Sequence, residues 1–245
     1  MKVMSNISRK NGYIDIHCHM LPAVDDGSSS MEQSIRMAKQ AAMEGFSDII
    51  LTPHQKADRK CVTYEGTLRR MQLLQNRVDE LRIPVRFHPG AEIFYRHGAE
   101  ELLEEGKLHT LAASHYVLVE FFPGEEYAYI RDALVRISSY GYLPVLAHVE
   151  RYLSVNSEAG RAKQLKQNTG CFFQVNASSL TGEAGFAGKN ASRKIRIWRS
   201  SWGHPLKPFM AMMLHIRLLN FHACQAPQKS CLAAVKSRVS CCSGS

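Results

Sequence analysis

Strand-like and helix-like segments alternate along most of this chain, and that alternation limits the folds open to it. Apolar runs rich in β-branched and aromatic residues predict six strands, at 13–16, 48–51, 85–87, 116–121, 143–147 and 171–175. Segments with the 3.6-residue periodicity of a helix separate these strands. Repeated strand–helix units indicate a parallel α/β protein, and at this level a barrel and a doubly wound sheet are both possible.

Start and stop signals place helices between the strands. Ser30 can cap a helix that runs to Glu44, and Gly45 is its stop signal. The apolar face of this helix is predicted to use Met31, Ile35, Ala38, Ala42 and Met43. Further helices are predicted at 63–81, 97–105, 127–140 and 158–167.

A potential metal ligand lies near the C-terminal end of each of five consecutive strands. His17 and His19 belong to the first strand, and in an extended chain residues i and i+2 point to the same side. The next four strands offer His54, Glu92, Glu120 and His148. In a barrel these strand ends form one ring around one site, whereas an open sheet would spread them along a row. The pattern therefore favours an irregular barrel.

These residue types indicate metal-dependent chemistry at phosphorus. Imidazole and carboxylate ligands suit zinc, manganese or iron, and Glu92 or Glu120 could bridge two ions. A bound ion lowers the pKa of its water to about 7, and a pair of ions stabilises an in-line displacement at phosphorus. Arg151, three residues after His148, has the planar group that holds a phosphate bidentately. The predicted reaction is hydrolysis of a phosphoester.

Each of these residues also has an ordinary structural interpretation. A single histidine such as His54 is more often a hydrogen-bonded structural residue, and Arg151 is more often a surface charge. The sequence Asp25-Asp26-Gly27 is typical of a turn. Glu120 interrupts an apolar run, however, where an unpaired charge would be costly. The prediction rests on the joint pattern, which is much rarer than any one of its members.

Several short motifs occur in order along the first three quarters of the chain. They are YIDIHCHMLP at 13–22, VDDG at 24–27, LTPH at 51–54, GAEIFY at 90–95, LVEF at 118–121, AHVERY at 147–152 and TGCFFQVN at 169–176. Together they resemble the capsule-locus tyrosine phosphatases of Gram-positive bacteria, which belong to the polymerase and histidinol phosphatase (PHP) superfamily. The resemblance extends over about residues 13–194.

The resemblance implies a distorted βα barrel that holds up to three metal ions, manganese or else iron or zinc. It implies hydrolysis of phosphotyrosine on the bacterial tyrosine kinase that controls capsular or exopolysaccharide synthesis. The implied metal ligands are His17, His19, Asp26, His54, Glu92, Glu120 and His148. Glu92 is expected to bridge ions, and Arg151 is expected to hold the phosphate.

The C-terminal tail departs from the family pattern. The family supplies two further ligands in a late Ser-Asp-X-His motif, but the corresponding zone at 208–215 reads PFMAMMLH and lacks that Asp and His pair. Residues 184–245 hold ten Lys or Arg and no Asp or Glu. We therefore predict an N-terminal extension at 1–12, a phosphatase domain at 13–194 and an aberrant, frameshifted basic tail at 195–245. The barrel is expected to be incomplete at its C-terminal strands.

Charge and hydropathy limit the partners and the location. The net charge of +9 lies in the tail, because residues 1–183 hold 21 basic and 22 acidic groups. We expect no nucleic-acid partner, since the tail has no recognisable binding motif. No run of 18 apolar residues and no signal peptide is found, so no membrane insertion and a cytoplasmic location are expected. Two alternatives stay open: a PHP-type phosphoesterase acting on a small molecule such as histidinol phosphate, and an inactive remnant.

Overall fold

A computed structural model describes residues 12–56, 63–158, 160–176, 179 and 214–215 of the chain. The strands are β1 (Tyr13–Cys18), β2 (Phe46–Leu51), β3 (His54–Lys56), β4 (Arg86–Pro89), β5 (Glu92–Phe94), β6 (Tyr116–Glu120), β7 (Leu143–Leu146), β8 (Phe172–Phe173), β9 (Val175–Asn176) and β10 (Leu214–His215). The helices are α1 (Met31–Met43), α2 (Tyr64–Glu80), α3 (Ala99–Glu104), α4 (Tyr127–Ser139), α5 (Leu153–Asn156) and α6 (Arg161–Thr169), with 3-10 turns at Leu111–Ala113 and Val149–Arg151.

The predicted strands and helices are confirmed. The six predicted strands correspond to β1, β2, β4, β6, β7 and the β8–β9 pair, and the five predicted helices to α1, α2, α3, α4 and α6. Ser30 caps α1 as expected, because its side chain accepts a hydrogen bond from the backbone N–H of Gln33. One detail is wrong: Met43 lies 62% exposed at the end of α1 and does not belong to its buried face.

All the described strand pairs are parallel, and their order follows the chain. One sheet has the order β1-β2-β4, a second has β3-β5-β6-β7-β8, and β9 pairs with β10. Along the chain, β3, β5 and β9 directly follow β2, β4 and β8 and so connect the three sheets. Within each sheet the neighbouring strands follow the chain order, without a reversal. A doubly wound sheet would reverse its strand order at one point. The fold is therefore the distorted βα barrel that the strand-end pattern favours.

Two short breaks divide the barrel strands just before candidate ligands. Proline at position 53 has no N–H to donate to a ladder, and β3 begins at the next residue, His54. Gly90 separates β4 from β5, and a Cβ there would lie 2.7 Å from the side chain of Ile50. After both breaks the strands pair again, with His54 opposite Glu92. The breaks therefore bring these two ligands side by side.

The ring of strands is not closed by a continuous hydrogen-bonded ladder among the described residues. Strand β10 pairs with β9, and its Cα atoms come within 8 Å of those of β1, yet no ladder joins β10 to β1. No sequence pattern predicts β10, which lies inside the predicted tail. The rest of 195–245, and residues 1–11, lie outside the described residues, so the division into three segments stays a prediction.

Apolar side chains fill both sides of the barrel wall. Outside it, one cluster packs α1 and α2 on β1, β2 and β4, and a larger one packs α3, α4 and α6 on β5, β6, β7 and β8. A third cluster includes Ile50, Leu118 and Val145. Leu118 shares a strand face with Glu120, so this third cluster forms the floor beneath the candidate ligands. None of the described helices is long and apolar enough to cross a membrane.

Candidate metal centre

The seven side chains predicted as metal ligands meet at the C-terminal ends of the strands. Each has an atom within 3.3 Å of another member of the set, through seven contacts between histidine nitrogens and carboxylate oxygens. Four of them, His17, His19, Glu92 and His148, are buried, and Asp26 is the most exposed, with 67% of its side chain accessible. The structure therefore brings together the six strand-end residues and Asp26, and their role as metal ligands stays a prediction.

Glu92 lies at the middle of the cluster and uses its two oxygens differently. Oε1 is 3.1 Å from His17 Nε2 and 2.9 Å from His148 Nε2. Oε2 is 3.0 Å from His19 Nε2 and 3.2 Å from His54 Nδ1. Since each oxygen faces a different pair of histidines, the carboxylate has the orientation of a bridge between two ions.

Glu120 and Asp26 flank this arrangement. Glu120 Oε1 is 2.9 Å from His54 Nδ1, and its Oε2 is 3.3 Å from His148 Nε2. Asp26 Oδ1 is 3.3 Å from His54 Nε2 on the solvent side. The two nitrogens of His54 thus face different carboxylates.

Three overlapping groups have the spacing of a metal site. They are His17–His19–Glu92, His19–Asp26–His54 and His54–Glu92–Glu120, and within each the ligand atoms lie within 4.8 Å of one another. Bonds of about 2.0–2.2 Å allow two ligand atoms of one ion to be up to about 4.4 Å apart, so only small side-chain shifts are needed. Adjacent groups share a ligand, which suits neighbouring ions. The donor set therefore fits a cluster of divalent ions.

Outer hydrogen bonds orient the first pair of histidines. His17 Nδ1 lies 3.1 Å from Gln174 Oε1, and His19 Nδ1 lies 2.7 Å from Asp25 Oδ2. Because both acceptors take an Nδ1–H, the neutral rings carry their lone pairs on Nε2. These two Nε2 atoms are 3.3 Å apart and face each other. Two facing lone pairs repel unless a proton or a metal ion lies between them.

The Asp25-Asp26-Gly27 turn is built against the first strand. Besides His19, Asp25 accepts hydrogen bonds from the backbone N–H groups of Gly27 and His54. A Cβ on Gly27 would lie only 2.1 Å from the carbonyl oxygen of His19, so a larger residue would push the turn away. The sequence offers a turn and a ligand at Asp26 as alternative interpretations. In the structure the turn itself places Asp26 among the predicted ligands.

Gln174 connects two ends of the ligand ring. Its side chain is fully buried. Its Oε1 accepts two hydrogen bonds, one from the backbone N–H of His148 at 2.6 Å and one from the Nδ1–H of His17 at 3.1 Å. Its Nε2 donates to Asn176 Oδ1 at 3.0 Å, which fixes the orientation of the amide. His148 adopts a left-handed conformation with φ of 33°, and such strain costs about 1–3 kcal/mol. The Gln174 amide thus helps hold His148 in a strained position.

Replacing Gln174 is expected to weaken metal binding. In Gln174→Ala the His17 ring and the His148 backbone lose a shared acceptor, and losing such an outer partner typically costs about 10–100-fold in metal affinity. Titration with Mn²⁺ measures this loss. Gln72→Ala, which removes an exposed glutamine of α2, is the matched control and should leave affinity unchanged. Equal affinities for both variants would contradict the role of Gln174.

The histidines and carboxylates shift each other's protonation. Burial lowers the pKa of His19, but hydrogen bonds to Asp25 and Glu92 outweigh it and raise that pKa to about 10. Burial by itself would raise the pKa of Glu92, yet the facing histidines hold that pKa well below its usual range. For His17 burial outweighs the attraction of Glu92 and lowers the pKa. Without ions, a protonated His19 therefore compensates the carboxylates at neutral pH.

Metal binding is expected to release protons and to strengthen with pH. His19 must lose its proton before Nε2 can ligate an ion, so affinity should rise with pH as long as the pH is below its pKa of about 10. For each proton displaced, the apparent affinity for Mn²⁺ should rise about tenfold per pH unit. Calorimetry in buffers of different ionisation enthalpy counts these protons. Binding without proton release, at an affinity independent of pH, would contradict this assignment.

Arg151 follows the predicted ligand His148 by three residues, in the turn after β7. It is exposed, and its backbone N–H donates to the carbonyl of His148 in a 3-10 turn. Among the described residues no carboxylate forms an ion pair with its guanidinium. Burial lowers the pKa of His148, hydrogen bonds to Glu120 and Glu92 raise it overall, and the charge of Arg151 acts against that rise. The guanidinium is thus close enough to the centre to act on it.

Sequence reasoning missed two residues that shape the centre. The sequence pattern predicts only a turn at Asp25 and only a strand motif at Gln174. A weak signal was available for each. Asp25 directly precedes a predicted ligand, and Gln174 is a polar residue in the otherwise apolar run 171–175.

A parallel βα barrel with histidines and carboxylates converging at its strand ends defines a metal-dependent hydrolase. The sequence model of the family "Capsular polysaccharide synthesis, CpsB/CapC" matches residues 13–197. The chain belongs to this CpsB/CapC family, which confirms the resemblance carried by its motifs.

Curated relatives and a solved structure agree with this assignment. The chain is 32% identical over 189 residues to the tyrosine-protein phosphatase CpsB of Streptococcus pneumoniae, covering 75% of each chain. It is 31% identical over 214 residues to the tyrosine-protein phosphatase YwqE of Bacillus subtilis (strain 168), covering 87% of this chain and 82% of YwqE. A crystal structure from work on these two proteins, described as unique metal-dependent tyrosine phosphatases, matches with a TM-score of 0.69 and 30% identity. The match covers 75% of this chain and 73% of that one.

Proposed function

We propose that this chain is a metal-dependent protein-tyrosine phosphatase of capsular or exopolysaccharide synthesis. The observation that carries the proposal is the position of Glu92, whose two oxygens each face two histidines at the strand ends. Its family and the names of its relatives support the same activity.

The finer assignments of cofactor and partner follow from the donor set and the family. We assign manganese to the centre, with iron or zinc as the alternatives, because mixed imidazole and carboxylate ligands suit all three. The proposed ligands are His17, His19, Asp26, His54, Glu92, Glu120 and His148. The proposed substrate is a tyrosine-phosphorylated kinase of the polysaccharide locus.

Each residue of the centre has a distinct proposed role in catalysis. Divalent ions in such a centre supply Lewis acidity toward the phosphate ester and acidify water. Glu92 and Glu120 provide the negative charge that holds those ions in a buried place. Gln174 and Asp25 orient His17 and His19 toward the cluster. Arg151 binds the phosphate oxygens, and the exposed Asp26 lies where substrate enters.

A comparison of two substrates tests this function. The full chain with added Mn²⁺ is expected to hydrolyse a phosphotyrosine peptide with a higher kcat/KM than histidinol phosphate. The opposite preference would support a small-molecule phosphoesterase. A chain that binds its metal fully yet hydrolyses neither substrate would be an inactive remnant.

The alternative of an inactive remnant depends on the tail. We propose that residues 13–194 form the phosphatase domain and that a frameshift produced 195–245. Sequencing the locus and translating all reading frames tests this. A late Ser-Asp-X-His motif in another frame would support it, and an intact gene whose close relatives share this tail would overturn it.

Exchanging Arg151 for lysine is expected to weaken substrate binding while preserving charge. Lysine is a point charge without the planar fork that binds a phosphate bidentately. Losing one charge-assisted hydrogen bond should raise KM for a phosphotyrosine peptide by about tenfold in Arg151→Lys. Arg70→Lys, on the exposed side of α2, is the matched control. Steady-state kinetics in which both variants keep the same KM would exclude Arg151 from phosphate binding.

A further inference from the structure

A second row of side chains lies directly outside the candidate metal centre. In the β3–β5 ladder His54 is opposite Glu92, and two residues further on Lys56 is opposite Phe94. Because alternate residues share a strand face, Lys56 and Phe94 lie on the face that carries the ligands. Phe94 is also opposite Glu120 in β6. Two residues advance a strand by about 6.6 Å, roughly the length of a tyrosyl side chain.

The side chains of this row form a compact cluster. The rings of Phe94 and Phe122 meet edge to face, with centroids 4.8 Å apart. The guanidinium carbon of Arg96 lies 4.8 Å from the Phe94 centroid and 5.5 Å from the Phe122 centroid. Lys56 Nζ lies 5.3 Å from the Phe94 centroid. We call these four residues the aromatic rim.

The rim combines exposed aromatic surface with positive charge. Phe122 is 53% exposed although it follows directly on the buried Phe121, so the fold leaves this ring in contact with solvent. Among the described residues no carboxylate forms an ion pair with Arg96. Aromatic faces next to cations attract a ligand that is itself flat, apolar and surrounded by negative charge.

We propose that the aromatic rim is the recognition surface for a phosphotyrosine segment with acidic neighbours, which rests on the phosphatase activity proposed above. The tyrosyl ring packs against Phe94 and Phe122 while its phosphate reaches the centre one row deeper. Arg96 pairs with a carboxylate that flanks the tyrosine. The rim thereby selects aryl over alkyl phosphates and acidic over neutral segments.

Kinetics with paired substrates test the rim. In Phe94→Ala and Phe122→Ala, the ratio of kcat/KM for a phosphotyrosine peptide over that for glycerol phosphate is expected to fall about five- to tenfold, mainly through KM. In Arg96→Gln, the preference for an acidic peptide over the same peptide with alanine flanks should fall about threefold, and less at high salt. Leu73→Ala and Arg70→Gln, both exposed on α2, are matched controls.

The outcomes separate the rim from the proposed function. Equal losses on aryl and alkyl substrates, or no change in either ratio, would overturn the rim while the phosphatase assignment stands. Hydrolysis of glycerol phosphate but not of phosphotyrosine by the unsubstituted chain would overturn the proposed function itself. Melting curves of each variant show that the protein compared is folded.

Discussion

Glu92→Gln is expected to lower kcat/KM for a phosphotyrosine peptide by about 10³-fold or more. The substitution preserves shape but removes the charge of the carboxylate that faces all four histidines of the cluster. An amide cannot bridge two cations, so the acidified water and the phosphate site are both lost, and 10³-fold corresponds to about 4 kcal/mol of barrier. Steady-state kinetics together with the metal content of the purified variant measure the effect.

Two further variants make this result specific. Glu104→Gln removes an exposed carboxylate of α3 and should leave activity and metal content unchanged. Glu120→Gln removes a less central carboxylate of the cluster, with 12% of its side chain exposed, and should give a smaller loss. A Glu92→Gln protein that keeps its metal and stays within tenfold of the original activity would contradict the bridging role.

Removing metal is expected to lower thermal stability by about 5–10 °C. Ions that bind only the folded chain stabilise it by about 2.7 kcal/mol at 100 times their Kd, and each kcal/mol corresponds to about 2–4 °C for a protein of this size. Removal of the ions also leaves the mutual repulsion of the carboxylates Glu92, Glu120 and Asp26, which meet around His54, without compensating positive charge. Melting curves with chelator, and again after added Mn²⁺, measure the shift.

The same experiment on Glu92→Gln serves as its control. That variant should show a much smaller shift with chelator, because fewer ions are held to begin with. If the unsubstituted chain melts at the same temperature with and without chelator while remaining active, ions do not contribute to its folded state.

The alternation of strands and helices could be predicted from the sequence because it depends on local patterns. Apolar runs of strand length and capping residues such as Ser30 are set by neighbouring residues alone. The short strands β3 and β5 were not predicted as strands, since three residues carry too little periodicity. Strand β10 has no sequence signal either, because its pairing with β9 depends on tertiary contact.

The grouping of the candidate ligands was predictable for a topological reason. Parallel strands place their C-terminal ends together, so one polar residue at each end is enough to predict a cluster. That His17, Glu92 and the others ligate metal stays a prediction.

The surrounding shell was not predictable in the same way. Gln174 reaches His17 across 157 positions of sequence, and no local pattern marks such a contact. The aromatic rim likewise depends on the register of three strands and on Arg96 in a loop, which only the folded structure brings together.

Release of phosphate from a phosphotyrosine peptide by the full chain, measured against equivalents of Mn²⁺ added to chelated protein, tests the central claim most directly. We expect negligible turnover without metal and a rise that continues beyond the first equivalent, because Glu92 faces two pairs of histidines. Full turnover in the chelated protein, or stoichiometric binding of Mn²⁺ with no turnover, would contradict it.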